Sequence, residues 1–132
     1  MGLADAANPV PSLIAALLAF GFGFFWHKLF EKPWMTAPGY EGEPGLKFAP
    51  LLIVFIAYFV IAEMLAGVSA HIGGITLQNT LLNALIVWAG FILAPMVVDH
   101  SFEARPRKQT LINGGHWLGV FIIMGVVIGT WG

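Results

Sequence analysis

Cysteine is missing altogether from this 132-residue chain. Disulfides, thiolate metal centres and cysteine nucleophiles are therefore excluded, while the redox compartment is left open. Charge is scarce too: Asp, Glu, Lys and Arg make up 10% of the residues, against roughly 25% in a soluble domain. A water-soluble protein this small could not cover its surface with so few charges. The charges nearly cancel, six basic against seven acidic, so no basic face invites nucleic acid. The opening residues Met1 to Asp5 carry no basic group, which argues against a cleaved signal peptide and for a first helix that stays in the membrane. The catalytic signatures are missing as well. There is no HExxH or ExxH pair and no glycine-rich phosphate loop after a strand. Ser12, Ser69 and Ser101 stand at the ends of apolar stretches with no base or acid patterned around them. On these grounds the chain reads as non-enzymatic, and no cofactor is predicted.

What the chain does have is apolar length. Hydrophobic residues reach 58% and the mean hydropathy is +0.84. Four stretches, 10–30, 48–68, 77–98 and 111–131, each approach the roughly 20 residues needed to cross a bilayer. They run unbroken rather than alternating, so they suit helices, which satisfy their own backbone hydrogen bonds in lipid, and not barrel strands. The expectation is an all-α integral membrane protein, one domain of four transmembrane helices in an antiparallel up-down bundle, with the lipid bilayer as its solvent.

All six basic residues fall in two places: Lys28, Lys32 and Lys47 at or between the first and second stretches, and Arg105, Arg107 and Lys108 between the third and fourth. The positive-inside rule then puts the loops 31–47 and 99–110 in the cytoplasm and both termini on the other side. Trp26, Trp34, Trp117 and Trp131 lie near the expected interfaces, as anchoring aromatics do. A faint echo links Phe30 to Pro33 with Phe102 to Pro106, each preceded by a histidine, His27 or His100. It would suit two duplicated hairpins, or chance.

Small residues mark faces for close helix packing. Ala15, Ala19 and Gly23 form a row that His27 continues, and Glu63, Gly67 and His71 form another. Gly115-Gly119 and Gly125-Gly129 are two GxxxG pairs, and at 100° per residue they share about a third of the helix circumference. This face is expected to pack on a neighbouring helix of the same or another subunit.

Polar groups inside apolar stretches are the candidate binding residues. Glu63 is costly in lipid unless paired, protonated or facing water. Asn79 and Asn83 can reach a similar depth, with His71 at the mouth. One reading makes Glu63 a relay or ligand carboxyl; the other makes it a protonated group bonded to Asn83 that holds the bundle together. A second polar layer, His27, Asp99, His100, Asn113 and His116, lies toward the cytoplasm. Imidazoles near a carboxylate suit a metal, haem, pigment or proton acceptor, or simply headgroups and water.

Trp26, Phe30, Lys32 and Trp34-Met35, then Phe102, Arg105-Pro106, Leu111-Ile112, Gly115-His116, Gly125, Gly129 and Trp131, resemble a bacterial membrane family of unknown function, number seventeen sixty-one among such domains. The resemblance implies four helices in a bacterial inner membrane and supplies no catalytic residues. Members tend to carry Tyr and Gly where this chain has His27 and Glu31, and often Tyr at His116. The resemblance therefore implies no histidine metal site common to the family. The expected function is a packing or accessory subunit of a homo-oligomer or larger complex. The alternatives are a small oligomeric carrier or channel with Glu63 on its pathway, and a histidine-bound haem, metal or pigment.

Overall fold

A computed structural model describes residues 8–29 and 48–131. The loop 31–47 and its Lys32, Trp34 and Lys47 lie outside the described residues, as does the N-terminal tail before Asn8. Among the described residues four helices are each long and apolar enough to cross a membrane: α1 Pro9–Leu29, α2 Phe48–His71, α3 Leu77–Phe102 and α4 Arg107–Trp131. Among the described residues there is no strand.

Local chemistry sets the helix starts. Asn8 Oδ1 accepts from Val10 N at 3.1 Å and Pro9 takes the first helical position, where its missing N–H costs nothing. Thr76 caps α3 by accepting from Asn79 N at 3.2 Å. Between α2 and α3 the chain turns through Gly73 and Gly74 at φ 88° and 92°, a region that residues with a Cβ rarely enter. After α3 the chain reverses through Ala104 at φ 55°, with Arg105 N bonded back to His100 O at 2.9 Å. This is the Schellman closure, held here without its usual glycine.

α3 is not uniform. It winds as a π-helix over Trp88–Leu93, and Ala94 N–H reaches back to Ala89 O. Pro95 follows directly. A proline ring clashes with the carbonyl four residues back and donates no hydrogen bond, and the wider π turn accommodates it.

The helices form a ring in chain order: α1 packs on α2, α2 on α3, α3 on α4, and α4 closes on α1. Across the diagonal, α2 and α4 touch little. The core is built from small residues of α1 and α2 (Ala15, Ala16, Ala19, Ala62, Ala66) against larger ones of α4 (Val120, Phe121, Met124, Ile128). The outside is strongly apolar: Phe25 is 64% exposed, Ile53 66% and Phe91 72%. A surface of this kind suits a hydrocarbon solvent and would aggregate in water.

The two GxxxG pairs are both used within the chain, on different partners. At Gly119 a Cβ would overlap the Phe22 ring, and at Gly115 it would stand 2.9 Å from the Trp26 ring. Thus two α1 aromatics one helical turn apart sit in two α4 holes one turn apart. At Gly125 and Gly129 the neighbours belong to the start of α3: Ala84 and Leu81 for the first, the backbone of Leu77 and Thr76 for the second. Ala15, Ala19 and Gly23 are likewise buried, whereas Gly67 faces open space.

Candidate functional site

The densest polar cluster forms where α1, α2 and α4 meet. His116 of α4 is 4% exposed. Its Nε2 lies 2.8 Å from Tyr58 Oη of α2, a buried hydrogen bond in which the hydroxyl donates when Nε2 carries no proton. The His27 ring of α1 lies 4.8 Å from the His116 ring, tilted by 42°. Phe22 stacks parallel to His116 at 6.2 Å, and Trp117 meets Tyr58 edge-on at 5.8 Å. Gly23 makes this possible, since a Cβ there would stand 2.8 Å from Tyr58 Oη and 2.9 Å from His116 Nε2. The glycine thus lets two polar tips from two other helices close over α1.

Around this cluster two indoles tie neighbouring helices to α4. Trp26 Nε1 donates to Ile112 O at 2.9 Å and Trp88 Nε1 to Gly114 O at 3.0 Å. Trp117 packs against the core as well, so its indole serves the bundle interior. The remaining members of the polar layer have other placements. His100 Nδ1 is 2.5 Å from Thr110 Oγ1, joining the end of α3 to the start of α4. Asp99 is exposed and Asn113 half-buried. Among the described residues, no three His, Cys, Asp or Glu side chains stand where they could hold a metal ion. His27 and His116 together would offer at most two imidazoles, with His116 Nε2 already engaged by Tyr58.

At the opposite end the polar residues divide. Asn79 Nδ2 donates to Ile72 O at 2.5 Å and Gly74 O at 2.7 Å, clamping the α2–α3 turn. Asn83 Nδ2 donates to Ser69 Oγ at 3.3 Å. Glu63 therefore lacks the Asn83 bond that equal depth suggested. Ser69 stands six residues further along α2, about 9 Å of rise, and faces the core, while Glu63 lies at the edge of that face. Glu63 Oε1 is out of solvent contact with no hydrogen-bond partner among the described residues. His71, one turn beyond Gly67, is exposed.

Tyr58 went unnoticed in the sequence, although a phenolic hydroxyl in the middle of an apolar helix is itself a signal that it needs a polar partner. Trp88, whose indole N–H carries the same signal, went unnoticed too, whereas Phe22 could not be found that way, because nothing local distinguishes an aromatic that fills a glycine hole from one that faces outward.

The family described as "Protein of unknown function (DUF1761)" matches residues 10–129, and the chain belongs to it. No curated protein and no solved structure matches the chain.

Proposed function

Membership of a family without an assigned activity leaves function to the chain's own chemistry, and we propose that the chain is a multi-pass protein of the bacterial inner membrane that acts by helix packing. It is a subunit of a homo-oligomer or of a larger membrane complex, not an enzyme. Its helices run antiparallel, with both termini non-cytoplasmic and loops 31–47 and 99–110 cytoplasmic, following the placement of the basic residues.

One observation carries this reading. With the α4 glycines spent inside the bundle, α2 keeps an outward row of Glu63, Gly67 and His71. A carboxyl group at membrane depth needs a partner, and Glu63 Oε1 has none among the described residues. A helix from another chain approaching at the bare Gly67 would meet the half-buried Glu63 and the exposed His71 on the same row, joining a small residue to polar contacts as membrane helix pairs do.

The test exploits the absence of cysteine. Gly67→Cys introduces a single thiol, and mild oxidation in the native membrane should trap a disulfide-linked dimer or an adduct with one stoichiometric partner, while Ile53→Cys should not. A chain that stays uncross-linked and migrates on blue-native gels at the mass of one copy would refute the packing role. Unchanged migration with Glu63-dependent flux would favour the carrier reading instead.

The paired imidazoles of His27 and His116 favour a second reading, a bound haem, metal or pigment. Its test is the absorption spectrum and metal content of protein purified gently from its native membrane. A colourless, metal-free preparation ends that reading.

A further inference from the structure

Between the second half of α3 and the first half of α4 runs an open groove of about 1020 Å³. Gly114 and Gly115 both line it, and at Gly114 the backbone lets Leu93 of α3 approach closely, since a Cβ there would stand 3.0 Å from Leu93. Two hydrogen bonds between the helices frame it. Trp88 Nε1 donates to Gly114 O at 3.0 Å deep along the groove, and His100 meets Thr110 at 2.5 Å near its mouth.

The lining changes character along its length. His100, Ser101, Arg105, Arg107 and Thr110 form the polar end. Trp88, Leu93, Val97 and Leu118 form the apolar end. Among the described residues no carboxylate lines the groove. Glu103 accepts from Arg105 Nε at 2.8 Å, and among the described residues the outer guanidinium nitrogens make no further ion pair. Arg107 has no ion-pair partner among the described residues. From Thr110 to Leu118 the helix rises about 12 Å, most of the roughly 15 Å of hydrocarbon in one leaflet.

The geometry points to a binding site for an anionic phospholipid drawn from the surrounding bilayer. The phosphate sits between Arg105 and Arg107, whose guanidinium groups supply the donors, since the Ser101 hydroxyl donates back to Val97 O at 2.7 Å and Thr110 is engaged by His100. One acyl chain runs along Leu93, Val97 and Leu118 toward Trp88. Basic pockets between helices on the cytoplasmic side of a membrane hold anionic headgroups in this manner. A lipid fits better than a second copy of the chain, because the groove joins a cationic end to an apolar one and opens to the hydrocarbon along its side. The site rests on the membrane reading given above, and it does not involve the α2 face.

The experiment uses the full chain. An alkaline carbonate wash first separates the two ideas: release from the membrane pellet would overturn the membrane reading itself. Protein that stays in the pellet is then solubilised in mild detergent and titrated by native mass spectrometry with phosphatidylglycerol or phosphatidylcholine of identical acyl chains. Phosphatidylglycerol should bind at clearly lower concentration. The double variant Arg105→Gln with Arg107→Gln should weaken it at least roughly fivefold, the loss of the one cation not paired with a carboxylate, Arg107, at the usual strength of a membrane-surface charge. Val97→Trp, which fills the apolar end at a side chain already 46% exposed, should lower binding of both lipids. Equal affinity of the wild-type chain for the two lipids would overturn the proposal, and this comparison needs no variant to fold. So would an arginine double variant that binds as the wild type does, or displacement of the lipid by equimolar glycerol 3-phosphate.

Discussion

α2 and α4 invert the rule learned from soluble proteins. α2 is the most apolar helix, with a mean hydropathy of 2.5 over its span and 22% of that stretch buried; α4 is less apolar, at 1.9, yet 44% buried. In water the more apolar helix would go inside. In hydrocarbon there is no gain from hiding leucine and phenylalanine from solvent, so helices associate by close fit and polar contacts. α4 is central because it offers bare backbone at Gly115, Gly119, Gly125 and Gly129, and carbonyls that accept from Trp26 and Trp88. α2 offers outward-facing apolar side chains and joins α4 across the diagonal through Tyr58 and His116.

The same substitution at two glycines tests this contrast most sharply. Gly129→Ala places a methyl 2.7 Å from Leu77 Cα, a backbone atom that cannot swing away. We expect a loss of about 1–3 kcal/mol from overpacking, seen as a lowered unfolding midpoint in detergent, and separation of the start of α3 from α4. Gly21→Ala sits where nothing lies within 4 Å and should be neutral or stabilising by up to about 1 kcal/mol, the helix-propensity difference. Equal effects at the two sites would break the argument that close approach, not hydropathy, centres α4.

A middle effect is expected at the diagonal. Tyr58→Phe keeps the ring and removes the hydroxyl, leaving His116 Nε2 buried without its partner. The cost should be about 1–3 kcal/mol for an orphaned buried group, nearer the low end where the unfolded chain in an apolar solvent also finds partners for these groups. A double-mutant cycle of Tyr58→Phe with His116→Phe measures the coupling, and additivity would show that the 2.8 Å contact contributes nothing.

The smallest effect belongs to the outer wall of α2. Ile53→Ala removes a side chain that is 66% exposed and should shift stability by less than about 0.5 kcal/mol. A larger loss in the detergent-purified single chain would mean that α2 is held by contacts of its own.

The amino-acid sequence by itself determined the number of helices, their approximate extents and their apolar outer surface, because each follows from the length of uninterrupted apolar chain. It also marked Gly23, Gly115, Gly119, Gly125 and Gly129 as places of close approach, since only glycine permits them. Tertiary structure alone decided which neighbour enters each place. A bare backbone accepts Phe22 or Leu77 equally well as a matter of local chemistry, and the choice depends on ring order and axial level. The same holds for the polar groups. Asn83 meets Ser69 and not Glu63 because the α2–α3 turn sets the level at which the helices pair, and Asn79, which looked like a binding group, is consumed in shaping that turn. The groove between α3 and α4 likewise required Gly114 of one helix to face the π-wound segment of another, a juxtaposition of residues far apart in the chain that no local pattern specifies.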